Sequence, residues 1–112
     1  MVLKNTLAMQ GAKVQDEGAV DAYLTVLIGS EDGAPNFIMR RVDVQPGGCT
    51  PRHSHAWEHV IYVLYGSGSV QTENGEFELA PGGALLILPN EVHQFKAIEK
   101  TSLSFLCSIP RR

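Results

Sequence analysis

The most constraining feature of this chain is its punctuation. Turn-type clusters recur along it: SEDGAP (30–35), QPGG (45–48), YGSG (65–68), ENGE (73–76), APGG (80–83) and LPNE (88–91). Proline presets one backbone angle and glycine admits the left-handed ones, so each cluster is a place where the chain can reverse. Between them lie short runs rich in Val, Ile, Leu, Phe and Tyr: AYLTVLIG, NFIMRRVDV, HVIYVLY, SVQTE, EFEL, ALLIL, VHQFKA and SLSFLCSI. Such runs read as strands. Asn74-Gly75, between SVQTE and EFEL, predicts a hairpin of the type I′ kind. No segment holds a 3.6-residue apolar period over three turns, so little or no helix is expected, beyond a little near the N-terminus. Many short strands with almost no helix predict an all-β sandwich or barrel.

Side chains alternate across a strand, so parity assigns faces. In the last run Leu103, Phe105, Cys107 and Ile109 share one side; Ser102, Ser104 and Ser108 share the other, with Leu106 the exception. Phe105 and Cys107 are therefore expected to face inward. On NFIMRRVDV the same rule puts Ile38, Arg40, Val42 and Val44 on the more apolar face, where a buried Arg40 would need a carboxylate partner.

Length bounds the domain count. The 112 residues, 44% of them hydrophobic and 19% charged, suit one domain over 1–112 with a single core. Residues 1–20 read as an N-terminal arm and strand, and 36–110 as the barrel core. The net charge of −3 offers no basic field for nucleic acid or anionic lipid. No apolar run approaches the roughly 20 residues of a membrane span. The opening MVLKNTLAMQGAK lacks the apolar stretch of a secretory signal, so a cytoplasmic protein is expected. In that compartment Cys49 and Cys107 are expected as free thiols.

The chemistry concentrates in RHSHAWEH, residues 52–59. It holds three of the chain's four histidines, His53, His55 and His59. On an extended backbone His53 and His55 point the same way, roughly 7 Å apart. His59 can meet them if the chain bends through Ala56-Trp57-Glu58. His93 follows the Pro89-Asn90 turn at the start of another strand. Four neutral imidazoles converging from three strands would make a transition-metal site. Glu58, next to His59, is expected to point away, because strand neighbours face opposite ways.

The frame around these histidines resembles the cupin family. Residues 47–66 read GGCTPRHSHAWEHVIYVLYG. This is similar to the first cupin motif: a glycine, five residues, HxH, a short gap, a glutamate, six residues and a glycine. His59 stands where cupins commonly carry glutamate. Residues 82–97 resemble the second motif more loosely: Gly82 leads, Leu88 and Asn90 replace its usual proline and glycine, and His93 falls on its metal-binding histidine. Ala97 stands where asparagine is frequent. The stretches APNFIMR, RHSHAWEH and PNEVH resemble a thermophile-type group of small single-domain bacterial cupins with an all-histidine, manganese-binding site.

The resemblance implies a double-stranded β-helix, or jelly-roll barrel. It implies one divalent transition-metal ion per chain on His53, His55, His59 and His93, with manganese first and iron, zinc, nickel, cobalt or copper as other occupants. It implies a dioxygenase-like oxidoreductase acting on a small organic substrate, such as one that cleaves an alkene C=C bond. The alternatives are a non-redox isomerase, lyase or decarboxylase, and a non-catalytic module that binds metal or a small ligand. A homodimer formed through sheet edges and residues 1–10 is expected. An imidazole in place of a carboxylate leaves the ion's 2+ charge undiminished, which strengthens its Lewis acidity and tilts the site away from hard, oxygen-seeking ions.

Arg40, Trp57, Ile61, Phe105 and Cys107 are the remaining pocket candidates, with Ile109 beside them as a further apolar wall. Arg40 could anchor an anionic group of the substrate. Trp57 could pack at the turn or wall the entrance. Phe105 and Cys107 would fill the core close behind the metal. No nucleophile motif, phosphate-cradling loop or paired-carboxylate arrangement stands out.

Overall fold

The computed structural model describes all residues, Met1–Arg112. The alternating runs form nine strands: β1 (Ala12–Lys13), β2 (Val20–Ile28), β3 (Phe37–Cys49), β4 (His59–Gly66), β5 (Gly68–Thr72), β6 (Gly75–Leu79), β7 (Ala84–Ile87), β8 (His93–Ala97) and β9 (Leu103–Pro110). The only helical turn is a 3-10 turn at Ser30–Asp32, so no helix forms near the N-terminus. All pairings are antiparallel, in the order β6-β5-β8-β3-β9-β4-β7, with β2 also on β3 and β1 on β2. The sheet curls into a half-barrel, the jelly-roll architecture, with β6 and β7 at the ends of the path.

Strand β3 makes the curl. Its first eight residues pair with β9 in an unbroken register from Phe37↔Pro110 to Val44↔Leu103. Past Val44 the chain switches sides, and Cys49 pairs with Lys96 of β8. The residues between are QPGG, expected from sequence as a turn. They are instead a bend within the strand, where the β2–β3 register slips between Ala22↔Val44 and Val20↔Cys49. Gly47, at φ 76°, takes the left-handed angle this bend needs. The turn chemistry redirects the strand without ending it.

The hairpin between β5 and β6 also differs from its prediction. Thr72 pairs with Gly75, so the two-residue loop is Glu73-Asn74. Gly75 has φ 130°, while Asn74 is not among the residues with positive φ. A type I′ turn needs positive φ at both central residues. The loop is held by the Thr72 Oγ1 atom, which accepts the Asn74 N–H at 3.1 Å. Between β4 and β5, Gly66 has φ 85°, and any Cβ there would collide with the Ser102 carbonyl.

Parity holds in β9: Leu103, Phe105, Cys107 and Ile109 are all buried. With Val42, Val44, Ile61, Val63, Val70 and Phe95 they make the core of a concave inner face. The N-terminal residues lie along their own sheet. Arg41 donates to the carbonyls of Thr6 (3.1 Å) and Met9 (2.9 Å), and Lys4 pairs with Asp32 at 2.8 Å. Both cysteines are free. No helix is long and apolar enough to cross a membrane.

Candidate metal centre

Backbone pairing brings the distant histidines together. His53 and His93 exchange N–H···O bonds of 3.1 and 2.9 Å, an isolated antiparallel bridge that ties the loop before β4 to the first residue of β8. Asn90, in the left-handed region at φ 67°, donates its N–H to the His55 carbonyl at 2.7 Å. Behind the bridge, Thr50 and Phe95 are joined twice: the Thr50 N–H reaches the Phe95 carbonyl (2.8 Å) and the Phe95 N–H reaches Thr50 Oγ1 (2.9 Å). The loop before β4 is thereby laid along the start of β8, and β4 returns His59 to the same place.

His53, His55 and His93 each offer a ring nitrogen such that all three atoms lie within 4.8 Å of one another. His59 falls outside that mutual set but adjoins it. Its Nε2 is 2.6 Å from His55 Nε2, and its ring centre is 5.2 Å from that of His93. All four rings line one cavity of about 570 Å³.

The ring hydrogens can be assigned from their partners. His55 Nδ1 lies 2.9 Å from the Trp57 carbonyl, and His93 Nδ1 lies 2.8 Å from the Glu91 carbonyl. A carbonyl only accepts, so both Nδ1 atoms carry hydrogen, and both Nε2 atoms present bare lone pairs to the cavity. This is the arrangement by which metal-binding histidines are usually oriented. His59 has its Nδ1 2.7 Å from Cys107 Sγ and 3.4 Å from Arg40 Nη2. Its Nε2 either gives a hydrogen to His55 or, with Nδ1–H turned to Cys107 Sγ, joins His55 in facing a cation.

Desolvation keeps the rings neutral. Burial lowers the pKa of all four, with further lowering from the other rings or Arg40. His59 is pushed down to about 3 by burial first, then by His55 and Arg40. Burial also pushes the Cys107 thiol up, against the pull of Arg40. Neutral imidazoles are the form that coordinates metal. The donor set therefore fits a divalent transition-metal ion held by nitrogen.

The family profile described as "Cupin domain" matches residues 40–109. The chain belongs to the cupin family. No protein among those of curated function matches it. Among solved structures, the cupin is similar to the polyketide cyclase RemF from Streptomyces resistomycificus. The two share 32% identity and a TM-score of 0.94 over 100% of this chain and 80% of the other. A cupin 2 domain-containing protein from Halorhodospira halophila is 30% identical, with a TM-score of 0.75 over 88% and 73% of the two chains. A predicted oxalate decarboxylase from Thermotoga maritima shares the fold at 19% identity, with a TM-score of 0.83 over both whole chains.

The other sequence candidates separate by position. Arg40, Phe105 and Cys107 line the cavity with the histidines. Ile61 does not: it pairs across from Cys107 and, 1% exposed, packs in the core. Ile109 lies in the core as well. Trp57 is outside the cavity lining and stacks on His55 at 4.3 Å with the rings 7° apart, while Arg112 covers its other side at 3.5 Å. It buttresses the loop that bears His55. Glu58 is exposed, as its neighbour's inward position requires.

The carboxylate partner expected for Arg40 is absent. The three ion pairs of the cupin are Lys4–Asp32, Lys13–Asp21 and Arg41–Asp43. It is Arg41, on the opposite face of β3, that meets the nearby acid, because Asp43 shares its parity. Arg40 shares its face with Val42 and Val44, which bring no charge.

Sequence reading missed part of the cavity wall. Phe95 and Val42 could have been found, being two residues from His93 and Arg40 on the same strand faces. Ala12–Asp16 could not: the wall they form depends on β1 folding back onto β2.

Proposed function

We propose that this cupin is a metal-dependent enzyme that acts as a Lewis-acid catalyst on a small, carbonyl-bearing, largely apolar substrate. Non-redox chemistry is the favoured class, and ring closure by intramolecular C–C bond formation is its most specific form. The likeness, over the whole of this chain and 80% of the other, to a protein named as a polyketide cyclase carries this reading. His53, His55, His93 and His59 would hold the ion. When bound, it would polarise a substrate carbonyl and stabilise negative charge on its oxygen.

The chain's own residues support that role. Val42, Phe95 and Phe105 give the cavity apolar walls that exclude water from the reacting group. The backbone-anchored Nδ1–H groups of His55 and His93 keep their lone pairs aimed inward. Trp57 and the Asn90 N–H restrain the loop that carries His55, so little reorganisation is needed on binding. Manganese is the occupant to test first, with zinc beside it.

A dioxygenase-like reaction is the second reading, favoured by the all-nitrogen ligand set, which also suits redox ions. Metal exchange separates the two. Under Lewis-acid catalysis, zinc-loaded protein turns over an enolisable carbonyl substrate with no oxygen uptake. Turnover confined to manganese or iron, with oxygen consumed, would reverse the preference.

We also propose that the chain pairs with a second copy through the outer face of β4 and β7. Strand β4 is apolar on both faces. Val60, Tyr62, Leu64 and Leu86 lie 43–59% exposed, with Val60 directly opposite Leu86. Contiguous apolar patches beyond a few hundred Å² are uncommon on monomers, and a stable interface takes about 800 Å² from each partner. Light scattering should report a dimer that Tyr62→Glu converts to monomer.

A further inference from the structure

Arg40 is the one charged group of the cavity floor with no counter-charge. It is half-buried on the inner face of β3, directly opposite Cys107 on β9 and Val26 on β2. Its Nη2 reaches Cys107 Sγ at 3.2 Å and His59 Nδ1 at 3.4 Å, and its Nε is buried without any partner. Neither a thiol nor a neutral imidazole supplies a full negative charge. The guanidinium stays protonated in any protein environment. A cation half out of water is costly unless an anion meets it.

The contrast with the next residue is informative. Arg41 bonds each of its three guanidinium nitrogens within the chain, to Asp43, Thr6 and Met9, and Asp43 supplies its counter-charge. Arg40 has no such set. Asp16 is the only carboxylate among the cavity-lining residues, and it lies exposed on the N-terminal segment. The guanidinium therefore faces a mostly apolar cavity, within one side chain of the histidine cluster.

We propose that Arg40 anchors a delocalised oxygen anion of the substrate, so that the cavity takes a small apolar molecule bearing a carboxylate or the enolate of a 1,3-dicarbonyl. This rests on the reading above only in taking the same cavity as the substrate site. The anion fills the place that a protein carboxylate leaves vacant. The planar fork of the guanidinium matches two oxygens held in one plane, which both chemistries present. Placed there, the anion also lies beside the histidines, so one substrate group meets Arg40 and the metal site together. Arg40 thus selects among substrates by charge, while the walls select by shape.

The test is direct binding. Benzoate, trifluoroacetylacetone (whose enol is acidic enough to ionise near neutral pH) and neutral benzamide are titrated calorimetrically into the metal-loaded chain and the metal-stripped chain. Metal content is measured in parallel for the parent, Arg40→Gln and Arg40→Lys. The stripped parent should prefer an anionic probe over benzamide. Arg40→Gln should weaken that probe by about tenfold or more at unchanged metal content, with partial recovery in Arg40→Lys. Benzamide should not respond to either variant. Dependence on Arg40 for benzoate alone assigns the carboxylate, and for trifluoroacetylacetone alone the dicarbonyl enolate.

Equal binding of all three probes by the stripped parent would overturn the proposal, whether or not a variant folds. Unchanged anion affinity in folded, metal-replete Arg40→Gln would do the same. A chain that takes up no metal yet keeps the Arg40-dependent preference would refute the metal reading and uphold this one.

Discussion

His55 and His59 bring their Nε2 atoms to 2.6 Å, a separation that two lone pairs cannot share unaided. His55 Nδ1 is committed to the Trp57 carbonyl, so its Nε2 carries no hydrogen. Between the rings there must be either the His59 hydrogen or a cation. The same contact thus serves two states, exchanged by moving one hydrogen from Nε2 to Nδ1 of His59, where Cys107 Sγ waits at 2.7 Å. Because this is a tautomer change, metal uptake at pH 7 should release close to zero protons per ion. Calorimetry in buffers of different ionisation enthalpy measures that number. Release approaching one proton or more would mean that a ring is charged beforehand.

Removing a ligand should empty the site. His93→Ala, at a 2%-exposed position, and His53→Ala should each reduce bound metal from about one ion per chain to a small fraction of that. Elemental analysis of chelator-free preparations decides it. Full metal content in either variant would remove those rings from the coordination sphere.

Trp57 does not itself line the cavity, yet Trp57→Ala should weaken metal binding. Its ring stacks on His55 and its carbonyl orients His55 Nδ1. The carbonyl survives the substitution, so only the stacking is lost. The expected loss is about tenfold in affinity, the low end for groups that orient a ligand. A competition titration against a chelator reads it, and an unchanged constant would reduce Trp57 to packing alone.

In the metal-free chain, stability should fall on acidification from neutral pH. The four histidines have folded pKa values below their usual 6.5, chiefly through burial, so the unfolded chain takes up protons first. Their contribution is complete above pH 6.5. It is lost progressively as the pH drops toward about 3, the value for His59. Melting temperatures in chelator should decline across this window, and less steeply in His59→Asn. A flat profile for the parent would contradict the buried-neutral assignment.

Phe105→Ala should cost about 3–5 kcal/mol by denaturant titration, the usual range for emptying a fully buried aromatic site. Phe105 is 2% exposed and packs on Phe95 with ring centres 4.6 Å apart. A loss under about 1 kcal/mol would mean that the neighbouring cavity simply collapses.

Several parts of this arrangement were legible before folding. Alternation in SLSFLCSI identified Phe105 and Cys107 as inward, and Phe105 and Cys107 do line the cavity. Spacing in RHSHAWEH singled out three histidines, and the turn before His93 suggested the fourth. QPGG misled because glycine and proline mark a change of direction without saying whether pairing stops, and here β3 pairs on both sides of the bend. Ile61, named as a pocket candidate, misled because the inner face of a strand includes positions beyond the cavity. Its inward side lies in the packed part of the curl.

The sequence by itself determined which residues alternate, where the chain bends and which side chains can bind metal, since all of these are local properties of backbone angles and donor chemistry. Only the tertiary structure decided which of them meet. The His53–His93 bridge, the missing counter-charge of Arg40 and the wall formed by Ala12–Asp16 all depend on strands far apart in the chain pairing in one register. Such pairing is set by the whole curled sheet, and no short stretch of sequence encodes it.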